Sequence, residues 1–394
     1  MRSDKIYNVH AHIFNFDCVP DGFLSNYLPE FVARLLAWLI RNGLGKPLVR
    51  LLRRFPMTSK YVTFLIIGIH KDQEETFDEL SSAYPAGSRI VILPMDFDYM
   101  GGGYCPNNND TQLTLLDKVK LHNPDTCLPF LSLDPRRGTA QENLDFVKYY
   151  FSTIHYKGYI GIKLYPALGF YPFDPRLELV YEFAAANNIP ITTHCTRYGA
   201  FYIGKTFTPG MTSPVSFNRT PETEMLYNDP ANQYKPGMKN GEFCDMYLHP
   251  KNYYDVLEKF PTLKLNIAHF GGDEEILLEL DKNKQNSWYW YTREMMMATN
   301  AAGQKKFPNL YTDISFSYHN DKIVNNLKLD LANTALRDRI LFGTDFFMTA
   351  QYGDEAKMVA HFREKLDDEA MWSQMTVTNP VSFLSSTFYT AGKP

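Results

Sequence analysis

The sequence predicts a single (β/α)8 TIM barrel, an α/β fold in which eight parallel strands alternate with helices. Eight short apolar segments are each followed by a stretch with helical periodicity, which favours parallel strands joined by crossover helices. The 394 residues fit one barrel domain with insertions, because such barrels span roughly 200 to more than 400 residues. Five of the predicted strands also end in histidine, lysine or aspartate, where these barrels build their sites. We prefer this fold to an open doubly wound sheet.

The predicted elements follow in order along the chain. Residues 6–13 are rich in β-forming side chains and form the first strand, and the later strands are 89–96, 128–134, 159–165, 189–194, 263–269, 310–316 and 339–345. Helical patterns occupy 31–40, 47–54, 58–84, 111–122, 140–154, 175–187, 250–260, 321–336 and 355–366, with more helix between 273 and 302 and a helical C-terminal tail. Proline directly follows the helix at 250–260, as at many helix ends. Residues 64–69 are alternatively a strand, because periodicity does not separate the two.

Two connections are longer than a barrel needs, and both are interpreted as insertions. They cover about residues 17–60 and 196–249 of the single domain 1–394. A loop beyond about 12–15 residues is usually either disordered or functional. Because the second segment is rich in tyrosine and phenylalanine, we interpret it as an ordered lid over the barrel mouth.

Composition and charge argue against several classes of partner. The chain is 44% hydrophobic and carries a formal net charge of −4, so nothing electrostatic favours nucleic acid. The most apolar segments, 31–40 and 61–69, are shorter than the roughly 20 residues of a membrane span, and no membrane partner is expected. The densest basic run, 46–54, is interpreted as a solvated helix face. Five widely spaced cysteines without a CxxC motif predict reduced thiols in the cytoplasm.

The polar residues at the strand ends are the candidate chemistry. Alternate residues of a strand share a face, so two histidines two positions apart can reach one metal ion at about 2.0–2.1 Å. A lone histidine at a strand end is more often structural, and a lone aspartate is often a helix N-cap. Six such residues at five strand ends favour a site with nitrogen and oxygen ligands, suited to Zn²⁺ or another first-row divalent ion. The six are His10, His12, Lys163, His194, His269 and Asp345.

These strand ends resemble the motifs of a known family. Val-His-Ala-His, Gly-Ile-Lys-Leu-Tyr-Pro, Thr-His-Cys, Ala-His-Phe-Gly-Gly and Leu-Phe-Gly-Thr-Asp are similar, in order, to those of the amidohydrolase superfamily of metal-dependent barrels. They look most like the branch that includes aminocarboxymuconate-semialdehyde decarboxylase. The resemblance implies that His10, His12, His194 and Asp345 hold the metal, with His269 as a catalytic residue or a ligand of a second metal. The long segments 17–60 and 196–249 depart from the family, so the substrate does not follow.

The expected function is metal-dependent hydrolysis of an amide, ester or lactone by an activated water. Asp345 would carry the proton of that water to the leaving group, and His269 would polarise the carbonyl. The alternative is a lyase that decarboxylates or hydrates an unsaturated or aromatic carboxylic acid. Lys163, Arg197 and Tyr165 are the expected substrate-binding residues, with Arg197 binding a carboxylate through two hydrogen bonds. A barrel that only binds a ligand is the third hypothesis, and the intact ligand set argues against it. A small molecule is the expected partner, and a homo-oligomer is compatible with the sequence.

The number of metal ions depends on Lys163. An ammonium group cannot ligate a cation, but a lysine carbamylated by CO₂ can bridge two metals about 3.5–4 Å apart. The branch that the motifs resemble generally uses one metal, and Gly-Thr-Asp and Asp-Pro-Arg-Arg look like that branch. We therefore expect one divalent ion, most simply Zn²⁺, with Lys163 left as a cation for a substrate carboxylate. Two ions are the alternative.

Overall fold

Eight parallel strands form the centre of the molecule, as predicted. The computed structural model describes residues 5–26, 29–44, 70, 72–152, 158–197, 199–282, 286–346 and 348–392. Within them each strand pairs with the next in chain order. The strands are β1 Tyr7–Ala11, β2 Arg89–Ile92, β3 Cys127–Ser132, β4 Gly161–Leu164, β5 Ile191–Thr193, β6 Leu265–Ile267, β7 Leu310–Asp313 and β8 Ile340–Leu341.

The first and last strands meet, and the sheet thereby closes into the predicted barrel. The Val9 amide donates to the Phe342 carbonyl at 2.9 Å, and Ala11 forms a parallel bridge with Phe346. Most strands are shorter than predicted, and β8 has only two residues. The chain leaves β8 early because the amides of Thr344 and Asp345 both donate to the carbonyl oxygen of His10 instead of continuing the ladder. The polar residues predicted at strand ends consequently lie at or just beyond the ends.

Helices occupy the connections between strands. Several begin where the sequence provides a cap; Thr139 and Glu142, for example, form a reciprocal capping box. The described part of the predicted helix 58–84 contains the helix Gln73–Ser82. The predicted helix 47–54 and the alternative strand 64–69 lie outside the described residues. The described α-helices are Glu30–Leu39, Gln73–Ser82, Asn109–His122, Ala140–Phe151, Glu178–Asn187, Pro209–Thr212, Pro221–Asn228, Asn240–Leu248, Asn252–Lys259, Asp273–Lys282, Trp288–Met297, Asp321–Ala332, Glu355–Leu366, Glu369–Ser373 and Asn379–Leu384.

The C-terminal helix packs onto the barrel. Val9, Leu128 and Leu341 share one buried cluster with Phe383 and Leu384. All five cysteines are free thiols, in agreement with the sequence-based expectation. None of the helices in the described part of the chain has the length and apolar character needed to cross a bilayer.

The described part of the segment 196–249 has a regular structure of its own. It contains three α-helices and lies against the barrel mouth, where the Ile203 amide donates to Met100 O at 2.8 Å and the Tyr202 amide to Ala167 O at 2.9 Å. The buried Asp255 carboxylate accepts hydrogen bonds from the Thr220 amide and hydroxyl. The segment is therefore ordered and fixed at several points, and its closure over a substrate stays a prediction.

Candidate active site

Three of the predicted metal ligands meet at the C-terminal end of the barrel. His10 and His12 project from the end of β1 on the same face, because alternate residues of a strand point the same way. Asp345 reaches them from the loop after β8, with its Oδ1 3.6 Å from His10 Nε2 and 3.2 Å from His12 Nε2. All three side chains are buried, and their ligand atoms lie within 4.8 Å of one another, so one ion can contact them all.

Hydrogen bonds orient both imidazoles toward Asp345. The Nδ1 of His12 lies 2.7 Å from Leu93 O, and a carbonyl only accepts, so Nδ1 carries a proton. In a neutral ring the lone pair is then on Nε2 and faces the Asp345 carboxylate. The Nδ1 of His10 lies 3.1 Å from Asp313 Oδ2, which assigns its lone pair to Nε2 as well. Burial lowers the pKa of His10 to about 3, so this ring is neutral.

The arrangement fits a divalent cation. His10 Nε2 is fully buried and has no hydrogen-bond partner among the described residues. When both rings are neutral, two imidazole lone pairs are directed at a carboxylate, and a cation between the three groups would satisfy them. Two nitrogens and a carboxylate oxygen are ligands that zinc and other first-row ions accept.

Asp313, at the end of β7, holds this site together and was not singled out by the sequence. Its Oδ2 accepts from His10 Nδ1 and, at 2.7 Å, from Asn266 Nδ2, while Oδ1 accepts from the backbone amides of His269 and Ser315 and from the Ser315 hydroxyl. Burial alone would raise the pKa of Asp313, but the contacts with His10, His269 and Ser315 together outweigh it and hold the pKa below its usual range. The sequence showed only an aspartate within the predicted strand 310–316, because that strand was predicted to continue beyond the residue at which it ends.

The other two predicted histidines pair with each other. His269 Nε2 lies 2.9 Å from His194 Nδ1, and Ser315 Oγ lies 2.8 Å from His269 Nδ1. Because the Ser315 hydroxyl donates to Asp313, it accepts from His269 Nδ1, and His269 Nε2 then accepts from His194. This chain of bonds leaves the lone pair of His194 on Nε2, the nitrogen it would offer to a metal.

A second group of possible metal ligands shares a residue with the first. His10, His269 and Asp313 also lie within 4.8 Å of one another, but His10 faces Asp313 through Nδ1 and Asp345 through Nε2. His194 belongs to neither group detected in the described residues. Filling both groups would require both nitrogens of one imidazole to bind metal.

The backbone at two site residues adopts a left-handed conformation that non-glycine residues seldom take. His269 has a φ of 67° and Asp345 a φ of 59°. Such strain persists only where the surroundings hold it, and it is common at functional sites. After His269 the turn continues through Gly272, where a Cβ atom would lie 2.1 Å from Thr196 Oγ1. Glycine there lets the loop after β6 pack directly against the loop after β5.

Lys163, at the third position of β4, is a buried cation beside the three ligands. Its Nζ has no hydrogen-bond partner within the described part of the chain. Burial lowers the pKa of Lys163 to about 8, while the charges of Asp345 and Asp313 act against that shift. Tyr165 lies next to it and stacks on His194 with ring centroids 4.3 Å apart. Both side chains line a small cavity with Asp96, Asp134, Leu168 and Phe170 among others.

Arg197 is already engaged with protein carboxylates. Its Nε donates to Glu275 at 2.7 Å and its Nη1 to Asp245 at 3.1 Å, and the guanidinium lies over the Trp288 ring at 4.5 Å. A substrate carboxylate would compete with these partners. The predicted role of Arg197 in substrate binding therefore stays a prediction, and Lys163 is the better placed cation.

Comparison with known proteins assigns the chain to a family. The sequence profile of the amidohydrolase family matches residues 122–384, which is more than half of the chain. The chain belongs to the amidohydrolase family. This confirms the resemblance found at the strand ends. A search of curated proteins finds no sequence that matches this amidohydrolase.

Solved structures with the same fold share little sequence with this amidohydrolase. A dihydroxybenzoic acid decarboxylase from Polaromonas sp. JS666, with bound manganese and the inhibitor 2-nitroresorcinol, has a TM-score of 0.51 and 12% identity and covers 97% of both chains. A 5-carboxyvanillate decarboxylase from Sphingomonas paucimobilis has a TM-score of 0.50 and 11% identity over 97% of this chain and 99% of that one. A probable 2-pyrone-4,6-dicarboxylic acid hydrolase from Acinetobacter baumannii, with citric acid bound, has the same TM-score and identity over 96% and 99%. At this identity the likeness establishes the fold alone.

Proposed function

We propose that this amidohydrolase is a metal-dependent carboxy-lyase that removes CO₂ from a small aromatic or unsaturated carboxylic acid. The observation that carries the proposal is Lys163, a buried ammonium without a hydrogen-bond partner in the described chain, next to a cluster of metal-ligating residues. Burying an unpaired charge is costly, so such a group is expected where an anion binds. A carboxylate at Lys163 would lie beside the proposed metal ion.

The proposed metal ligands are His10, His12 and Asp345, with His194 as a fourth. A divalent ion held there supplies a positive charge that stabilises negative charge developing on the substrate. We propose one ion, because His10 is common to both candidate groups. Zn²⁺ suits the ligand set, and Mn²⁺ is the second candidate because the Polaromonas structure contains manganese. Lys163 then stays uncarbamylated.

Each side chain of the site has its own role in the proposed reaction. Lys163 binds the carboxylate, and Tyr165 presents an aromatic surface in the adjoining cavity. Asp345 is a carboxylate at rest, so it first accepts a proton from solvent and then passes it to the carbon that bears the substrate carboxylate. The bond from that carbon to the carboxylate breaks, CO₂ leaves, the electron pair of the broken bond restores the unsaturated system, and Asp345 is again a carboxylate. His269, which bonds to Ser315 and His194, holds the His194 imidazole in its orientation.

Hydrolysis, the function first expected from the sequence, is the second candidate. It is favoured by the structural likeness to the Acinetobacter protein, whose name describes a hydrolase of a dicarboxylic acid. An acidic substrate bound by Lys163 suits both reactions. They differ in product, because decarboxylation releases CO₂ whereas hydrolysis adds water and keeps every carbon.

The test is a product assay on metal-reconstituted protein. The enzyme is loaded with Zn²⁺ or Mn²⁺ and incubated with hydroxybenzoic, vanillic and unsaturated aliphatic acids, and with lactones and esters of the same acids. CO₂ release from an acid, lost in Lys163→Met, is the expected result. Turnover of lactones or esters without CO₂ would replace the proposal by hydrolysis. Turnover unaffected by Lys163→Met would refute the proposed role of Lys163 in binding an acidic substrate, on which both candidate functions depend.

A further inference from the structure

Glu355 is a buried carboxylate that the proposed reaction does not use. It is the first residue of the helix Glu355–Leu366 and is only 8% exposed. The Tyr84 hydroxyl donates to its Oε1 at 2.6 Å and the Tyr318 hydroxyl to its Oε2 at 3.3 Å, and the Thr344 hydroxyl also bonds to it. Burying a carboxylate costs free energy unless hydrogen bonds compensate for the lost water, and these hydroxyl groups supply such bonds. Two of them, Tyr84 and Thr344, connect Glu355 to the proposed metal ligands.

Asn8 is the residue on which these bonds converge. It lies two positions before His10 on the same face of β1. Its Oδ1 accepts from the backbone amides of His10 at 3.1 Å and Thr344 at 3.3 Å, so its NH₂ group points the other way. There its Nδ2 donates to the hydroxyl oxygens of Tyr84 and Thr344, each at 2.8 Å. Because both oxygens accept, their own hydrogens are left to donate to Glu355, and position 355 needs an acceptor. We call Asn8, Tyr84, Thr344 and Glu355 the polar network.

The same bonds hold the backbone at two of the proposed metal ligands. Asp345 directly follows Thr344 and has the left-handed φ of 59°. The amides of both residues donate to the His10 carbonyl, at 3.2 Å from Thr344 and 2.9 Å from Asp345. Thr344 is held through its amide and its hydroxyl, and a strained backbone conformation persists only where the surroundings fix it. The placement of Asp345 relative to His10 therefore depends on the polar network.

We propose that Glu355 is a positioning residue of the metal site. Through the polar network it holds His10 and Asp345 at the separation that one divalent ion needs. The inference rests on the proposed function, in which these two residues bind the metal. A purely structural role would be that of an acidic residue in the first turn of a helix, which stabilises the helix through its dipole. That role would contribute to stability and leave the metal affinity unchanged.

The experiment measures the Zn²⁺ affinity of the full-length protein by competition with a chromophoric chelator. Glu355→Met removes the acceptor at similar side-chain length and should lower the affinity by about tenfold or more. Glu355→Gln should restore most of it, because one amide oxygen still accepts from Tyr84 while the NH₂ group faces Tyr318, whose hydroxyl can turn. Tyr84→Phe keeps Glu355 and removes one link, so it should lower the affinity as well. It decides the question if Glu355→Met does not fold.

A matched control separates positioning from stability. The buried Tyr181 hydroxyl donates to Pro172 O at 2.7 Å, and its ring lies beside Phe217 and Phe260. Tyr181→Phe should lose stability in urea, as Tyr84→Phe does, and keep the wild-type Zn²⁺ affinity.

The outcomes distinguish this inference from the proposed function. If the wild type binds Zn²⁺ and Glu355→Met or Tyr84→Phe binds it equally well, the positioning role is refuted and the metal site stands. A loss of affinity that Glu355→Gln or Tyr181→Phe shares in full would also refute positioning by an acceptor. Wild-type protein that binds no Zn²⁺ would refute the metal site and this inference together.

Discussion

The substitution Asp313→Asn tests whether this carboxylate controls which nitrogen of His10 is available to a metal. Each oxygen of Asp313 accepts hydrogen bonds: Oδ2 from His10 and Asn266, Oδ1 from Ser315 and His269. An amide has only one oxygen, so one of these two sets of donors must face an NH₂ group. Two backbone amides and the Ser315 hydroxyl donate to Oδ1, so we expect the asparagine oxygen to stay there and the NH₂ group to face His10. The His10 ring can then pair only through an unprotonated Nδ1, and its proton moves to Nε2.

The expected loss follows from these contacts. A proton on Nε2 removes His10 as a ligand, and disturbing the partner of a metal-binding histidine typically costs about 10–100-fold in metal affinity. The unpaired donor of Asn266 should also lower the free energy of unfolding by about 1–3 kcal/mol. Metal affinity is measured by competition with a chromophoric chelator, and stability by urea denaturation of the metal-free protein.

A matched variant separates affinity from stability. Asp255 is also a fully buried carboxylate that accepts several hydrogen bonds, but it lies in the contact with the segment 196–249, away from the metal ligands. Asp255→Asn should lose stability and keep its metal affinity. If Asp313→Asn bound metal as tightly as the wild type, or if both variants lost affinity equally, the control of His10 by Asp313 would be refuted.

Further predictions concern the substrate and the lid. Because the pKa of Lys163 is lowered to about 8, its ammonium is present below that pH and is lost above it, so KM for an acid should rise above pH 8. Lys163→Gln should raise KM by about 10–100-fold at every pH and abolish this dependence, whereas Lys163→Arg should keep KM low, as initial rates will show. Asp345→Asn should lower kcat by about 10²–10⁴-fold in the same assay, and unchanged turnover would exclude proton transfer by Asp345. Binding of product should slow hydrogen exchange across 199–249, and unchanged exchange would exclude a lid.

The sequence predicts this site well where its geometry is local. The alternation of a strand is enough to place His10 and His12 on one face, and closure of a barrel brings Asp345 beside them. The helix at 355–366 has the predicted bounds because its cap, Asp354, directly precedes it and accepts a hydrogen bond from the Lys357 amide. Local signals of this kind need no knowledge of distant residues.

The features that the sequence did not reveal depend on contacts between distant segments. Asp313 matters because β7 lies next to β6 and close to β1, which brings Asn266 and His10 to the same carboxylate oxygen. In the sequence it is one aspartate in an otherwise ordinary strand. Arg197 was predicted to bind substrate, but its partners lie 48 and 78 residues further along the chain and are not recognisable as partners before folding.

We propose that His10, His12 and Asp345 bind one divalent ion while Lys163 remains a free ammonium. The most direct measurement is the metal content of dialysed protein by elemental analysis, for the wild type, His12→Ala and Lys163→Met in parallel. We expect about one equivalent in the wild type and in Lys163→Met, and a loss of metal in His12→Ala with the fold retained. Full metal content in His12→Ala, or two equivalents in the wild type that fall in Lys163→Met, would contradict it.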